Sequence, residues 1–356
     1  MLPKSSKNDF HRVRTSKLNL FTLKNDCVNV KSGVVQGSVL GPLLYIAYTN
    51  DIGFLPLQGN SSLVSYADDL VLICPFVDGS STLDIQCNID LIVGHLRKLE
   101  LDVNAGKTKY QIFTRTGKSQ SQLYLSVFDI PVQMTTESKY LGVILDSKLD
   151  YAANAAKKVV AVKRAVGYVS RVFRKSVAVR SMLLIYMSLF RSVLMYGAEC
   201  SYPVFKKDRT KLERCQYFAL KCFYHDYRSS YSALLSKSSL KPLYELVFRF
   251  KMCIIHKYVC NPSIFPLIKF SADQNVRRSS RNCHSRDIYL PHSNLSRYSN
   301  SSYVLLCKAY NALPDALVSL PLRRFKNYLK LHSSEVLSGV MSKSLADSVV
   351  DVCTDL

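Results

Sequence analysis

Acidic residues are scarce in this sequence. Asp and Glu number 26 against 48 Lys and Arg, which leaves a formal net charge of +22. Such an excess points to a polyanionic partner, either nucleic acid or an anionic membrane surface; a merely soluble basic protein is the plain alternative. Paired cysteines are also missing. The 11 cysteines stand singly, no CxxC occurs, and the count is odd. That pattern excludes a disulfide framework and fits reduced thiols in the cytosol or nucleus. Long apolar runs are absent too. Ser32 to Asn50 carries no charge but is broken by Gly33, Gln36, Gly37, Ser38, Gly41 and Pro42, and Ser181 to Ala198 is interrupted by Arg191. A spanning helix needs about 20 unbroken apolar residues, so neither stretch is read as one. The first residues, MLPKSSKNDFHRVRTSK, have no apolar segment, which argues against a secretory signal and for an intracellular protein. No internal repeat is visible.

The chain has 356 residues, 48% of them hydrophobic, enough for a core divided over two or three domains. Residues 1 to 31 are polar and basic with a weak strand pattern. The glycines of GVVQGSVLGPLLYIAYTNDI mark a loop, and Pro42 suits the first turn of a following helix. Leu63 to Tyr66 and Leu70 to Ile73 read as strands around a tight turn. Residues 82 to 100 read as a helix, Leu101 to Val103 and Tyr110 to Phe113 as strands, and KYLGVIL (Lys139 to Leu145) as one strand with a glycine in its middle, which often marks a bulge or a close approach. Between Tyr151 and Ala198 there is no Asp or Glu but nine Lys or Arg. Val159, Val162, Ala165, Val166, Val169, Val172 and Phe173 give that stretch a helical core face, and a basic face of one sign is better explained by phosphates than by solvent alone. Further helices are expected over 208–223 and 240–260, a Ser/Asn/Arg-rich loop over 271–302, and a compact pattern from Tyr303 to Leu331. Cys253, His256 and Cys260 are spaced C-x2-H-x3-C, but with no suitable fourth ligand they read as core rather than zinc ligands.

One feature of the sequence demands compensation. SYADDLVLI sets Asp68 beside Asp69 between apolar segments, and adjacent carboxylates repel and are costly to desolvate. Alone, the four-residue YADD is better read as a solvated turn. The other reading is a divalent cation. Mg²⁺ prefers carboxylate and phosphate oxygens. In phosphoryl transfer two ions about 3.5–4 Å apart activate an attacking hydroxyl and stabilise the leaving group.

YADD is not alone. GVVQGSVLGPLLYIAYTNDI, SYADDLVLI, LDVNAGKTKYQIF and KYLGVILD follow one another in order. Together they resemble four successive palm motifs of reverse transcriptases from non-LTR (LINE-like) retrotransposons. SVLMYGAECSYPVF, DRTKLERCQYFALK and LLCKAYNALPDAL resemble stretches that follow the polymerase core in the same elements. The resemblance implies an RNA-directed DNA polymerase working on an RNA template and DNA primer, or an RNA–DNA hybrid, with Mg²⁺ or Mn²⁺ as cofactor. It implies an α+β fold: a partial palm over 1–150, a basic helical thumb over 151–230, and a mostly helical C-terminal region over 231–356. Carried onto this sequence, Asp68 and Asp69 match the metal-binding pair, Asp68 being the more direct ligand. Tyr66 lies near the primer terminus. Gln36 and Gly37 line the nucleotide and template pocket. Lys107 stands near the nucleotide phosphates as a general acid toward pyrophosphate. Tyr140, Leu141 and Gly142 form the hairpin that grips the primer. Lys157, Lys158, Lys163, Arg164, Arg171, Arg174 and Lys175 track the template–primer backbone by charge.

The sequence departs from the family in one place that matters. The family's first motif carries an aspartate that bridges both metals. Ahead of Gly33 the only acids are Asp9 and Asp26, neither in an apolar strand. The resemblance therefore implies an N-terminally truncated enzyme, incomplete as a catalyst by itself. The alternative is a nucleic-acid-binding module without catalysis.

Overall fold

The structure is a computed structural model that describes residues 12–19, 22–29, 37–76, 81–114, 122–173, 177–264, 269–270, 286–290 and 302–340. It mixes helix and strand and divides into two compact units. The first comprises Met1–Tyr110 and Lys118–Thr135, the second Gln111–Gly117 and Thr136–Leu356.

The first unit opens with an antiparallel pair, β1 (Arg12–Asn19) and β2 (Thr22–Asn29). Helix α1 (Gly41–Thr49) follows with proline in its first turn, as the sequence predicts. A 3-10 turn over Asn50–Phe54 leads to the hairpin β3 (Ser62–Tyr66) and β4 (Asp69–Ile73). Its register pairs Leu63 with Leu72, Ser65 with Leu70 and Tyr66 with Asp69. Opposed residues share a face, so Leu63, Leu70 and Leu72 lie on one side, and there they pack against Ile52, Ile92 and Leu96. The last two belong to α2 (Ser81–Lys98), against which the hairpin is anchored. Asn88 of α2, 1% exposed, accepts from the Gln58 N–H at 2.8 Å and donates to the Gln58 carbonyl at 3.2 Å and Ser61 Oγ at 3.1 Å. It pins the approach to β3 onto the helix.

Two sequence expectations need correction. Leu101 to Val103 is not a strand; Leu101 and Val103 instead close over the same leucine cluster. The expected strand over Tyr110 to Phe113 shrinks to β5 (Lys109–Tyr110). After β6 (Ser126–Val127) and β7 (Ile130–Pro131), β8 (Gln133–Met134) pairs with β5 in parallel.

In the second unit KYLGVIL is not one strand. It folds back between β9 (Glu137–Tyr140) and β10 (Val143–Asp146), with Leu141 at φ +44° and Gly142 at φ +84°. Positive φ at both central positions is the pattern of a two-residue hairpin turn. The glycine marks a reversal rather than a bulge. Helix α3 (Ala152–Phe173) buries Ala155, Val159, Val162 and Val166. This stripe meets Leu212, Cys215, Ala219 and Cys222 of α7 (Lys206–Tyr224). Between them run α4 (Val179–Ile185), a π turn over Tyr186–Phe190, α5 (Arg191–Met195) and α6 (Ala198–Ser201). Then come α8 (Tyr231–Ser238), α9 (Leu243–Cys260), α10 (Ser302–Asn311), α11 (Asp315–Val318) and α12 (Leu322–Val340). Most of the expected 271–302 loop lies outside the described residues.

A buried polar chain ties the helices of this unit together. Glu213 of α7, 0% exposed, accepts from Tyr231 Oη at 2.5 Å and from the backbone N–H groups of Leu243 and Tyr244 at 3.2 and 2.8 Å. These are first-turn donors of α9 with no partner inside the helix, so the carboxylate caps it. Gln216 extends the chain, donating to Tyr231 Oη at 2.9 Å and accepting from Tyr186 Oη at 2.5 Å. Burial raises the Glu213 pKa and outweighs the hydrogen bonds that lower it. Replacing Glu213 by Ala would remove the buried acceptor that serves Tyr231 Oη and the Leu243 and Tyr244 N–H groups. We expect Glu213→Ala to cost about 3 kcal/mol or more, by the desolvation penalty of unmet buried groups, measured as a lower urea midpoint at unchanged slope.

Candidate metal and nucleic-acid site

The β3–β4 hairpin answers the problem of the paired aspartates by geometry. With Tyr66 opposite Asp69, the loop is only Ala67 and Asp68. Ala67 takes φ +50° to make that reversal, a left-handed conformation that costs a non-glycine residue about 1 kcal/mol. Asp68 stands in the turn and Asp69 opens β4, and both side chains are exposed to water. Among the described residues neither carboxylate has a hydrogen-bond or ion-pair partner. Asp69 shares its face with Tyr66, Val64 and Ile73, which are 62, 43 and 52% exposed. The leucine face holds the hairpin down while the other face stays open.

The donor chemistry fits a hard divalent cation. Mg²⁺ is commonly held by one or two carboxylates, with water and phosphate completing its shell. Among the described residues no group of three or more His, Cys, Asp or Glu comes together as a metal cage. A second acidic patch shows the contrast. Glu137 and Asp146 are cross-strand partners, with Asp150 close in sequence. The Asp146 carboxylate is already engaged, accepting from the N–H groups of Lys148, Asp150 and Tyr151 at 3.2, 2.8 and 2.6 Å. It staples its own loop.

Lys107 is exposed in a turn organised by Asn104, whose side-chain and main-chain oxygens both accept from the Lys107 N–H, at 3.0 and 3.1 Å. Gly37 is exposed at φ +83°; Gln36 lies outside the described residues. In the second unit, Tyr140, Leu141 and Gly142 form the β9–β10 turn. On α3, Lys157, Arg164 and Arg171 lie exposed with Val160 and Tyr168 at helical spacing. Lys163 is exposed beside the Phe218 ring, 6.0 Å from its centroid. Arg174 and Lys175 lie outside the described residues.

Lys158 behaves differently from its neighbours. It is half-buried, and its Nζ donates to the Tyr196 carbonyl at 2.6 Å. Burial lowers its pKa to about 8, against a smaller opposing pull from Glu199. His256 is also settled. Its ring nitrogens meet Tyr310 Oη at 2.9 Å and the Leu320 carbonyl at 2.8 Å, and the ring stacks on Phe325. Both nitrogens are engaged within the protein, which makes it a core histidine.

Comparison with known proteins supports one family over part of the chain. Residues 9–145 match the family model described as reverse transcriptase (RNA-dependent DNA polymerase). Over that segment the chain is similar to reverse transcriptases, and the relatives below are RNA-directed DNA polymerases of transposons, which supports a LINE-like reverse transcriptase segment. Over 185 residues it is 28% identical to the "Probable RNA-directed DNA polymerase from transposon X-element" of Drosophila melanogaster, covering 48% of this chain and 19% of that protein. It is 32% identical over 133 residues to the "RNA-directed DNA polymerase from mobile element jockey" of Drosophila funebris, covering 34% of this chain and 14% of that protein. The chain thus spans about a fifth or less of the length of these relatives. No solved structure matches it.

The segment that matches the family model contains the Asp68–Asp69 hairpin, Lys107 and the Tyr140–Gly142 turn; the basic face of α3 lies beyond it. Among the described residues no helix is long and apolar enough to cross a membrane. Sequence reasoning missed how Tyr196 and Asn154 are used. Asn154, 3% exposed, accepts from the Ile144 N–H at 3.2 Å and donates to Ser201 Oγ at 3.3 Å. Its position inside an Ala-rich helical stretch was the available signal.

The half-buried Lys158 makes stability depend on pH. Its folded pKa lies below the ordinary 10.5, so folding disfavours its proton. The penalty holds below about pH 8 and is relieved as pH rises toward 10.5. Lys158→Met is therefore expected to flatten the alkaline rise in stability relative to wild type, as read from urea unfolding at pH 7, 8.5 and 10.

Proposed function

We propose that this chain supplies the nucleotide-transfer and template–primer-handling parts of a retrotransposon reverse transcriptase, acting on an RNA template and a DNA primer. The observation that carries this reading is the solvent-exposed Asp68–Asp69 pair, held at the tip of an anchored hairpin and without a partner among the described residues. Asp68 and Asp69 hold Mg²⁺ or Mn²⁺ through carboxylate oxygens. Such ions, when bound, neutralise charge on the triphosphate and on the attacking 3′-hydroxyl. Tyr66, on the same hairpin face as Asp69, stands by the primer terminus. Lys107 serves the leaving pyrophosphate as charge partner and proton donor. Gln36 and Gly37 border the base pair being formed.

The second unit contributes grip. The Tyr140–Gly142 turn holds the primer strand in a partial palm, and α3 acts as a thumb. Lys157, Lys163, Arg164 and Arg171 present positive charge to backbone phosphates, and the exposed Tyr168 offers an aromatic surface among them. Lys158 is assigned to internal support, because its ammonium is already committed to a backbone carbonyl.

Two experiments separate the parts. Binding of the 356-residue chain to an RNA–DNA hybrid is expected to weaken steeply with salt. Changing Lys157, Arg164 and Arg171 to Gln is expected to reduce the log–log salt slope by about one per phosphate contact removed. An unchanged slope would contradict the thumb assignment. Asp68→Asn is expected to abolish the Mg²⁺-dependent part of nucleoside triphosphate binding to the chain–hybrid complex while leaving hybrid affinity in place. Equal Mg²⁺-dependent binding in the variant would contradict the metal assignment.

A further inference from the structure

SVLMYGAEC (Ser192 to Cys200) lies outside the segment that the family model matches, and the reading above gives it no task. The structure brings its Tyr196 onto the β9–β10 turn. Tyr196 Oη donates to the Leu141 carbonyl at 2.7 Å. A Cβ on Gly142 would sit 3.1 Å from Tyr196 Cε1, so the ring lies flush against a position that only glycine fills easily at φ +84°. The Tyr196 carbonyl accepts from Lys158 Nζ at 2.6 Å, which ties the same residue to α3.

The next residues close the arrangement. Gly197 takes φ +59°, and a Cβ there would press on Val143 Cγ2 at 3.1 Å. Ser201 Oγ donates to the Gly197 carbonyl at 2.8 Å and accepts from Asn154, which also holds the Ile144 N–H. The hairpin, α3 and the 196–201 segment thus form one closed set of contacts. Yet Tyr196 is 54% exposed and Gly142 is exposed as well, so the contact lies at a surface that a ligand can reach.

We propose that Tyr196 is a positioning residue that clamps the Leu141–Gly142 turn and thereby fixes where the primer 3′ end is held. The clamp has two halves: the hydroxyl fixes the turn carbonyl, and the backbone carbonyl fixes the turn to the basic helix through Lys158. The inference rests on the reading of the Tyr140–Gly142 turn as primer-handling, and its test distinguishes the two.

The test uses the full chain and an RNA–DNA hybrid whose primer ends in 4-thiothymidine, a photoreactive nucleotide. Hybrid affinity is measured by anisotropy, and the cross-linked residue is mapped by mass spectrometry. Wild type is expected to cross-link within 139–143. Tyr196→Phe, which keeps the ring and removes the hydroxyl, is expected to hold hybrid affinity and lose about fivefold in cross-link yield, the scale of one intramolecular hydrogen bond. Gly142→Ala, with the hydroxyl intact but the ring crowded, is expected to lose yield in the same way. Wild-type yield in both variants would overturn the clamp. So would a fall in hybrid affinity in step with the cross-link, which would make Tyr196 a general support of the unit. If wild type binds the hybrid but cross-links elsewhere, the primer-handling reading of the turn fails, and the clamp's role falls with it.

Discussion

Two carboxylates on adjacent residues must remain in contact with water or a cation, and the first unit is arranged around that constraint. The hairpin can keep Asp68 and Asp69 in solvent because its opposite face is committed. Leu63, Leu70 and Leu72 are held by α2, and Asn88 fixes the approach to the first strand. The register does the rest. With Tyr66 opposite Asp69, the turn has two residues, and the acids fall at its tip. Slipping that register by one residue would send the leucines to solvent and the exposed face inward. Anchoring and exposure are therefore one property of the hairpin.

The second unit treats acidic groups in the opposite way. Glu213 is spent on the first turn of α9, and Asp146 on its own loop. Glu245, 4% exposed, accepts from Ser333 and Ser334 at 2.5 and 2.9 Å and meets Lys241 at 3.2 Å. These carboxylates hold helices and loops in place. Helix α3 has no acid of its own, so its exposed face carries cations while its valine stripe stays packed.

Much of this was legible in the sequence, for physical reasons that differ by place. The β3–β4 hairpin could be read because alternating apolar residues around a tight turn leave few other folds. Helix α3 could be read because its valines repeat at helical spacing while its cations do not intrude on that stripe. KYLGVIL misled because seven residues of strand propensity look continuous; the turn depends on Leu141 adopting a positive φ, which no propensity predicts. Lys158 looked like its neighbours because a run of cations does not say which one folds under. Glu213 and Tyr196 escaped notice because their partners lie 18 to 31 and 55 residues away, at distances where local pattern carries no information. Family resemblance supplied the proposed roles of Asp68, Asp69 and Lys107; spacing alone left the aspartates open between a solvated turn and a cation site, and left Lys107 a surface lysine.

The most direct measurement is the position of a bound cation. Crystals of the chain with a hybrid and a nucleoside triphosphate, grown in Mn²⁺, would be examined by anomalous scattering. The account predicts a peak at the hairpin tip, at about 2.1 Å from carboxylate oxygens of Asp68 or Asp69, the spacing of hard-cation coordination. A tip without a peak while the triphosphate is bound, or manganese held instead at Glu137, Asp146 and Asp150, would contradict it.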